Sequence, residues 1–189
     1  MLTGFPCTPY SHITRRQRDR SVGAWYVATM RLSPRAVLRV ISCWPPYLVA
    51  GIRVVELADD LSSVTVSLRT YPWNRNYYGT HFGGSLYAMC DPFFVFLLAH
   101  ELGMDHIVWD KRAEIEFVKA VSEPVFATFA VDPATVEEIR RQALERFKVE
   151  PQLATDVVTA SGDVVARVRK TLYVRRKDAK DRFPRPLAP

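Results

Sequence analysis

Within sixteen positions the chain gathers Asn76, Gly79, His81, Gly83, Gly84 and Asp91, and then runs into the apolar segment 92–99. A carboxylate can serve as a general base, and the backbone N–H groups of paired glycines opening a helix can receive an oxygen that becomes negative. Asp91 stands inside the most hydrophobic part of the sequence. Burying an ionised carboxylate without a partner costs on the order of several kcal/mol, so Asp91 either caps backbone amides or has its perturbed state put to use. Asp91-Pro92 is also the ordinary pair of an N-cap followed by Pro at the first helical position, and the residues alone leave both roles open. In a continuous helix, Pro92 would remove the bond to the Ala88 carbonyl and kink the helix beside Asp91.

The neighbouring groups each carry a plainer reading. His81 could contact a substrate or orient water, or make one structural hydrogen bond in a loop. Asn76 suits a turn, where its side chain holds the glycine loop by bonds to backbone. Cys90 has no evident His partner and reads as inert packing rather than a nucleophile. Phe93, Phe94 and Phe96 read as core, with an acyl channel as the alternative for some. Lys119, Arg167, Arg169 and Lys170 could meet phosphates, but a solvated sheet face is the expectation for each.

The elements that must position these groups follow from pattern. Ser33-Pro34 opens a short amphipathic helix carrying Val37, Leu38 and Ile41, and Trp44-Pro45-Pro46 stops it. Residues 52–57 and 64–68 are β-rich runs separated by Ala58-Asp59-Asp60, a hairpin pattern. A loop rich in Asn, Tyr and Gly leads to Gly83-Gly84 and an apolar helix ending at Leu102-Gly103. Apolar residues on every side of that helix predict burial all round. Ala113, Ile115 and Phe117 alternate with Arg112, Glu114 and Glu116 as a strand, and another spans 125–131. Asp132-Pro133 opens an exposed helix through about Phe147. Strands at 153–159 and 164–174 flank the hairpin signal Ser161-Gly162-Asp163. An α+β fold, with an antiparallel sheet wrapped around one central helix, satisfies this order, because it gives the apolar helix enough apolar sheet to pack on.

Composition sets the outer bounds. A chain of 189 residues with 48% hydrophobic residues can bury one core without disulfides. Cys7, Cys43 and Cys90 are odd in number and lack ligand spacing, so neither a disulfide framework nor a metal site is expected, and a reducing, cytoplasmic compartment fits. The net charge of +6 belongs to the ends: residues 1–32 and 175–189 each carry +4, leaving −2 for 33–174. Solvated tails, rather than a nucleic-acid partner, are expected. Arg15-Arg16 lacks the apolar run of an export signal, and the stretch 86–99 is short for a membrane span and holds Asp91 and Pro92. The expected layout is an N-terminal extension at 1–32 without fixed structure and with Met30 as an alternative start, a domain at 33–176, and a basic tail at 177–189.

Around Asn76 to Asp91 the chain resembles the hotdog-fold acyl-CoA thioesterases, in particular the phenylacetic-acid-degradation type and a related, poorly characterised branch. That type carries Asn-x-x-Gly-x-x-His-Gly-Gly, with six residues between the second Gly and an Asp on the central helix. Asn76, Gly79, Gly83, Gly84 and Asp91 fall at that spacing, while Phe82 stands at the His position and His81 one residue earlier. Residues 113–119 resemble the strand after the helix, and Arg169-Lys170-Thr171 the last strand. The resemblance implies a thioesterase acting on an acyl-CoA or related thioester, with Asp91 as general base or nucleophile and the amides of Gly83 and Gly84 polarising the carbonyl. Asn76, Gly79 and His81 are then the substrate-binding candidates. No metal or other cofactor is implied. Asp91 lies about 10–12 Å along a helix from the glycines, too far to serve the same carbonyl within one subunit. The family's sites lie across a subunit interface, which implies a homo-oligomer, at least a dimer. Two other readings are a non-catalytic acyl-binding or regulatory protein, and a hydratase or dehydratase, for which His81-Phe82 followed by Gly is a faint echo at shorter spacing.

Overall fold

The computed structural model describes residues 33–183. The expected extension at 1–32 therefore lies outside the described residues. Chain order runs α1 (Pro34–Val40), a single 3-10 turn (Ile41–Cys43), α2 (Pro45–Ala50), β1 (Ile52–Leu57), β2 (Ser63–Leu68), α3 (Gly83–Ala88), α4 (Phe93–Leu102) and β3 (His106–Phe117). Then follow β4 (Val125–Ala130), α5 (Pro133–Glu145), β5 (Gln152–Thr159), β6 (Val164–Arg176) and α6 (Ala179–Arg182). The six strands form one sheet in the order β1-β2-β4-β5-β6-β3, antiparallel at every step. One face of the sheet packs on α4 in a single core, the antiparallel sheet around a central helix expected from the pattern and the hotdog arrangement that the resemblance implies.

The core is built where α4 meets the sheet. Phe93 and Phe94 are fully buried, each with its ring centroid 5.1 Å from that of Phe129 on β4. Leu97, Leu98 and Leu102 continue the same face, against Val66, Val168 and Leu172 in one cluster. The opposite side departs from expectation. Val95 and Phe96 are only partly buried and Ala99 is exposed, so α4 is not buried all round within a single chain.

Three further differences have local causes. Pro45 and Pro46 do not merely end a helix; they occupy the first positions of α2, where a missing N–H costs nothing. Gly51 closes α2 at φ 80°, and a Cβ there would stand 2.6 Å from the Arg69 carbonyl oxygen. Only glycine fits that bend. β3 begins six residues before the sequence pattern shows it, because a β-bulge at Lys111 breaks the alternation: Asp110 pairs with Leu172 and Arg112 with Thr171. Part of the expected C-terminal tail is also docked, with Ala179 fully buried and the Arg182 guanidinium donating to the Leu144 carbonyl at 3.0 Å.

The expected exposed helix and hairpin are present. The Asp132 carboxylate caps α5 by accepting from the Thr135 N–H at 3.2 Å. Gly162, at φ 90°, turns the chain between β5 and β6. Helical residues 83–102 are long and apolar enough by composition to cross a membrane, yet they are the core helices of this fold and half buried within it.

Candidate active site

The loop before α3 is held by one side chain. Asn76 Oδ1 accepts from the N–H of Tyr78 at 2.9 Å and of Thr80 at 3.1 Å, and the side-chain Nδ2 donates to Thr80 Oγ1 at 2.8 Å and to the His81 backbone carbonyl at 3.0 Å. Gly79 turns the loop at φ 80° and its N–H closes on the Asn76 carbonyl at 3.0 Å. Asn76 and Gly79 thus shape the loop from inside. His81 is buried, with Nε2 2.8 Å from the Glu123 carbonyl, which fixes the proton on that nitrogen. Burial holds its pKa below the ordinary 6.5, against the opposing pull of that carbonyl. The ring is spent on anchoring the loop to the segment before β4.

Gly83 and Gly84 open α3 after Phe82, with no side chain capping them, so their N–H groups lack intrahelical acceptors. Two rings occupy the space their missing side chains leave. A Cβ on Gly84 would lie 2.4 Å from the Phe82 ring and one on Gly83 3.1 Å from the ring of Phe117 on β3. Both phenylalanines are 56% exposed and flank the glycine amides with apolar surface.

The chain breaks helix between α3 and α4 at residues 89–92, which answers the question posed by Asp91-Pro92. The N-cap of α4 is Pro92, with no side-chain cap, so Asp91 does not play the capping role. The Ala88 carbonyl that Pro92 cannot serve accepts from the Asp91 N–H at 3.2 Å and from the Tyr47 hydroxyl at 3.0 Å. Asp91 is not buried either: its side chain is 54% exposed. The break turns it outward while Met89 and Cys90 before it and Phe93 and Phe94 after it stay in the core.

A buried lysine holds Asp91. Lys170 on β6 is fully buried; its Nζ lies 3.3 Å from Asp91 Oδ1, also donates to the Asp91 backbone carbonyl, and meets Asp110 Oδ2 on β3 at 2.8 Å. The ring of Tyr87 stands with its centroid 5.9 Å from that ammonium. The expectation of a solvated Lys170 is thus corrected, and the sequence held the signal. Ala166, Val168, Lys170, Leu172 and Val174 alternate on the core-facing side of β6, with a lysine in the middle position. Asp110 was missed because the bulge at Lys111 throws it out of phase with Ala113 and Ile115. Burial raises its pKa above the ordinary carboxylate value; the bond to Lys170 opposes that shift and the charge of Asp91 adds to it. Its other oxygen, Oδ1, is buried without a partner.

The remaining groups around Asp91 are neutral. Burial pushes the Cys90 thiol up to about 12, which disfavours the nucleophilic thiolate and fits packing. Burial raises the Tyr47 and Tyr87 hydroxyls as well, with the Asp91 charge adding to both. Among the described residues no group of three or more His, Cys, Asp or Glu side chains could hold a metal ion.

Residues 34–174 match the family described as a domain of unknown function, DUF4442. The chain belongs to that family. Solved structures similar to it share the hotdog fold at low identity. One is a Pseudomonas aeruginosa protein of unknown function described as a probable thioesterase: 17% identical, TM-score 0.66, covering 77% of this chain and 97% of that one. Another is a Haemophilus influenzae thioesterase: 12% identical, TM-score 0.55, covering 77% and 92%. A third, of unknown function, is from Chlorobaculum tepidum: 16% identical, TM-score 0.61, covering 77% and 98%. No curated protein matches. At these identities the likeness establishes the fold, and the placement of Asp91 and the glycines must carry the chemistry.

Proposed function

We propose that this DUF4442 protein is a thioesterase hydrolysing an acyl-CoA or related acyl thioester as a homo-oligomer, with Asp91 as the base. The observation that carries the reading is the helix break that presents the Asp91 carboxylate half exposed, on the ammonium of Lys170, at the motif spacing from Gly83-Gly84. Asp91 takes a proton from water as the oxygen adds to the thioester carbonyl carbon, and the glycine N–H groups receive the developing oxyanion. Collapse of that adduct breaks the carbon–sulfur bond, and the departing thiolate takes up the proton, leaving acid and thiol. In the variant with Asp91 as nucleophile, its oxygen attacks the carbonyl and the carbon–sulfur bond breaks, so that the thiolate leaves and a mixed anhydride forms; water then hydrolyses the anhydride, releasing the acid, regenerating the Asp91 carboxylate and supplying the proton that the thiolate takes up.

Assembly is part of the proposal, because the family resemblance places the carboxylate and the glycine amides of one site on different subunits. Supporting it, β3 lies at a sheet edge with β6 as its one neighbour, and Trp109, Phe117 and Val118 are exposed along and just beyond it. Edge strands of this length invite pairing, and the half-covered Val95 and Phe96 on α4 would gain from it. The expected compartment is the cytoplasm. A second reading, acyl binding without turnover, draws on the Phe82 and Phe117 rings seated against the glycines. Release of free thiol from acetyl-, hexanoyl- and phenylacetyl-CoA separates the two. Turnover with at least one supports hydrolysis, whereas saturable binding without thiol release supports the second reading.

A further inference from the structure

A buried lysine that touches two carboxylates from different elements does more than fill a core position. Lys170 lies between Val168 and Leu172 on the inward side of β6, where an apolar residue would pack without any need for charge partners. Its ammonium is divided between Asp91, from the turn after α3, and Asp110, from the bulged segment of β3. Tyr47 from α2, Tyr87 from α3 and Cys90 from the turn also face the cluster, and all three stay neutral across the ordinary working range. Arg112 and Glu114, which line a small pocket with Lys170, are paired to each other, and Arg169 beside them is exposed. The charges left facing Asp91 are those of Lys170 and Asp110.

We propose that Lys170 and Asp110 are positioning residues for Asp91, with Lys170 holding the carboxylate in place and Asp110 moderating that hold by sharing the same ammonium. The functional meaning of this device rests on the reading of Asp91 as the base. Geometry gives the two partners opposite effects. Without the ammonium, Asp91 loses an opposite charge at 3.3 Å and is left near a second carboxylate, which favours its neutral form. Without the Asp110 charge, the whole ammonium serves Asp91 and a like charge is gone, which favours its ionised form. The cluster titrates as a unit, so the readout is its macroscopic midpoint. The unpartnered Oδ1 of Asp110 fits this role, since a moderating carboxylate must not be fully satisfied elsewhere.

The test uses the full-length protein and two readouts: the acidic limb of the pH–rate profile on whichever CoA ester of the panel is turned over, and the carbon-13 titration of the Asp91 carboxyl, assigned by its loss in Asp91→Asn. In Lys170→Met both midpoints move to higher pH by up to about 0.7 unit, the scale of a half-exposed ion pair. In Asp110→Asn both move to lower pH, and Lys170→Arg restores a position close to the wild type. A role confined to stability would lower the melting temperature without moving the midpoints. Unchanged midpoints in Lys170→Met and Asp110→Asn, or shifts in the same direction in both, overturn the proposal. Should Lys170→Met fail to fold, the downward shift in Asp110→Asn decides alone. The carboxyl titration keeps the proposal testable apart from the reading it rests on: wild-type turnover in Asp91→Asn removes the reading, while the titration still reports whether Lys170 and Asp110 control the group.

Discussion

Replacing Lys170 with Met should be among the most destabilising single changes in this fold. The side chain is fully buried and its 2.8 Å partner, Asp110, is 26% exposed, so removing the ammonium strands a carboxylate that already has one unpartnered oxygen. Breaking a buried pair from one side costs about 3–5 kcal/mol. The contact to Asp91 adds little, since that side chain is 54% exposed and screened; an exposed pair contributes about 0–1 kcal/mol. At roughly 2–4 °C per kcal/mol for a domain of this size, the melting temperature should fall by roughly 6–20 °C. The pH dependence has a definite sign. Asp110 has a raised folded pKa, so its contribution to stability is fully present below the ordinary carboxylate value of 3.8 and is lost as pH rises through the raised value. Without Lys170 that penalty deepens, so the deficit of Lys170→Met should shrink on acidification. Lys170→Met combined with Asp110→Asn should regain most of the loss, because two neutral groups of similar volume leave no stranded charge. Urea unfolding of the single and double variants at neutral and mildly acidic pH measures all three. A single-variant cost below about 1 kcal/mol, or a double variant no better than Lys170→Met, would refute the burial argument.

Other expectations are simpler to check. Sedimentation at micromolar concentration should show at least a dimer, and Trp109→Lys on the β3 edge should shift the population toward monomer and lower thiol release with it; an active monomer would remove the shared site. His81 carries a depressed pKa, so its contribution is present above the ordinary 6.5 and lost as pH falls through the depressed value. His81→Gln, whose amide can still donate to the Glu123 carbonyl, should flatten the acid side of the stability profile while keeping turnover near wild type. Gly51→Ala should cost about 1 kcal/mol or more by thermal melt, from positive φ and the clash with the Arg69 carbonyl.

Most of the fold could be read from pattern because each element obeys a local rule. The β4, β5 and β6 strands show alternation, Asp132-Pro133 shows its cap, and Gly162 marks its turn. What escaped the reading depends on partners distant in sequence. Nothing beside Lys170 says which carboxylates will meet it, although its place among Ala166, Val168, Leu172 and Val174 marks an inward position. The bulge at Lys111 hides both the first half of β3 and the direction of Asp110. The outward turn of Asp91 was hidden for the opposite reason. Apolar neighbours on both sides predicted burial, but the helix stops at Ala88 and resumes only at Phe93, and Asp91 stands in the turn between them. At the glycine pair, the motif spacing was legible while the rings of Phe82 and Phe117 against it were not, since a packing contact across the fold leaves no local mark.

The most direct measurement is the rate of thiol release from the panel of CoA esters by Asp91→Asn. Asp91 caps no helix and its link to Lys170 is half exposed, so Asn in its place should leave the melting temperature within a few degrees of the wild type. An amide cannot accept the proton of water, and a general base contributes on the order of 10²–10⁴-fold. The account predicts a fall in turnover of that size with the fold intact; hydrolysis by Asp91→Asn at the wild-type rate would contradict it.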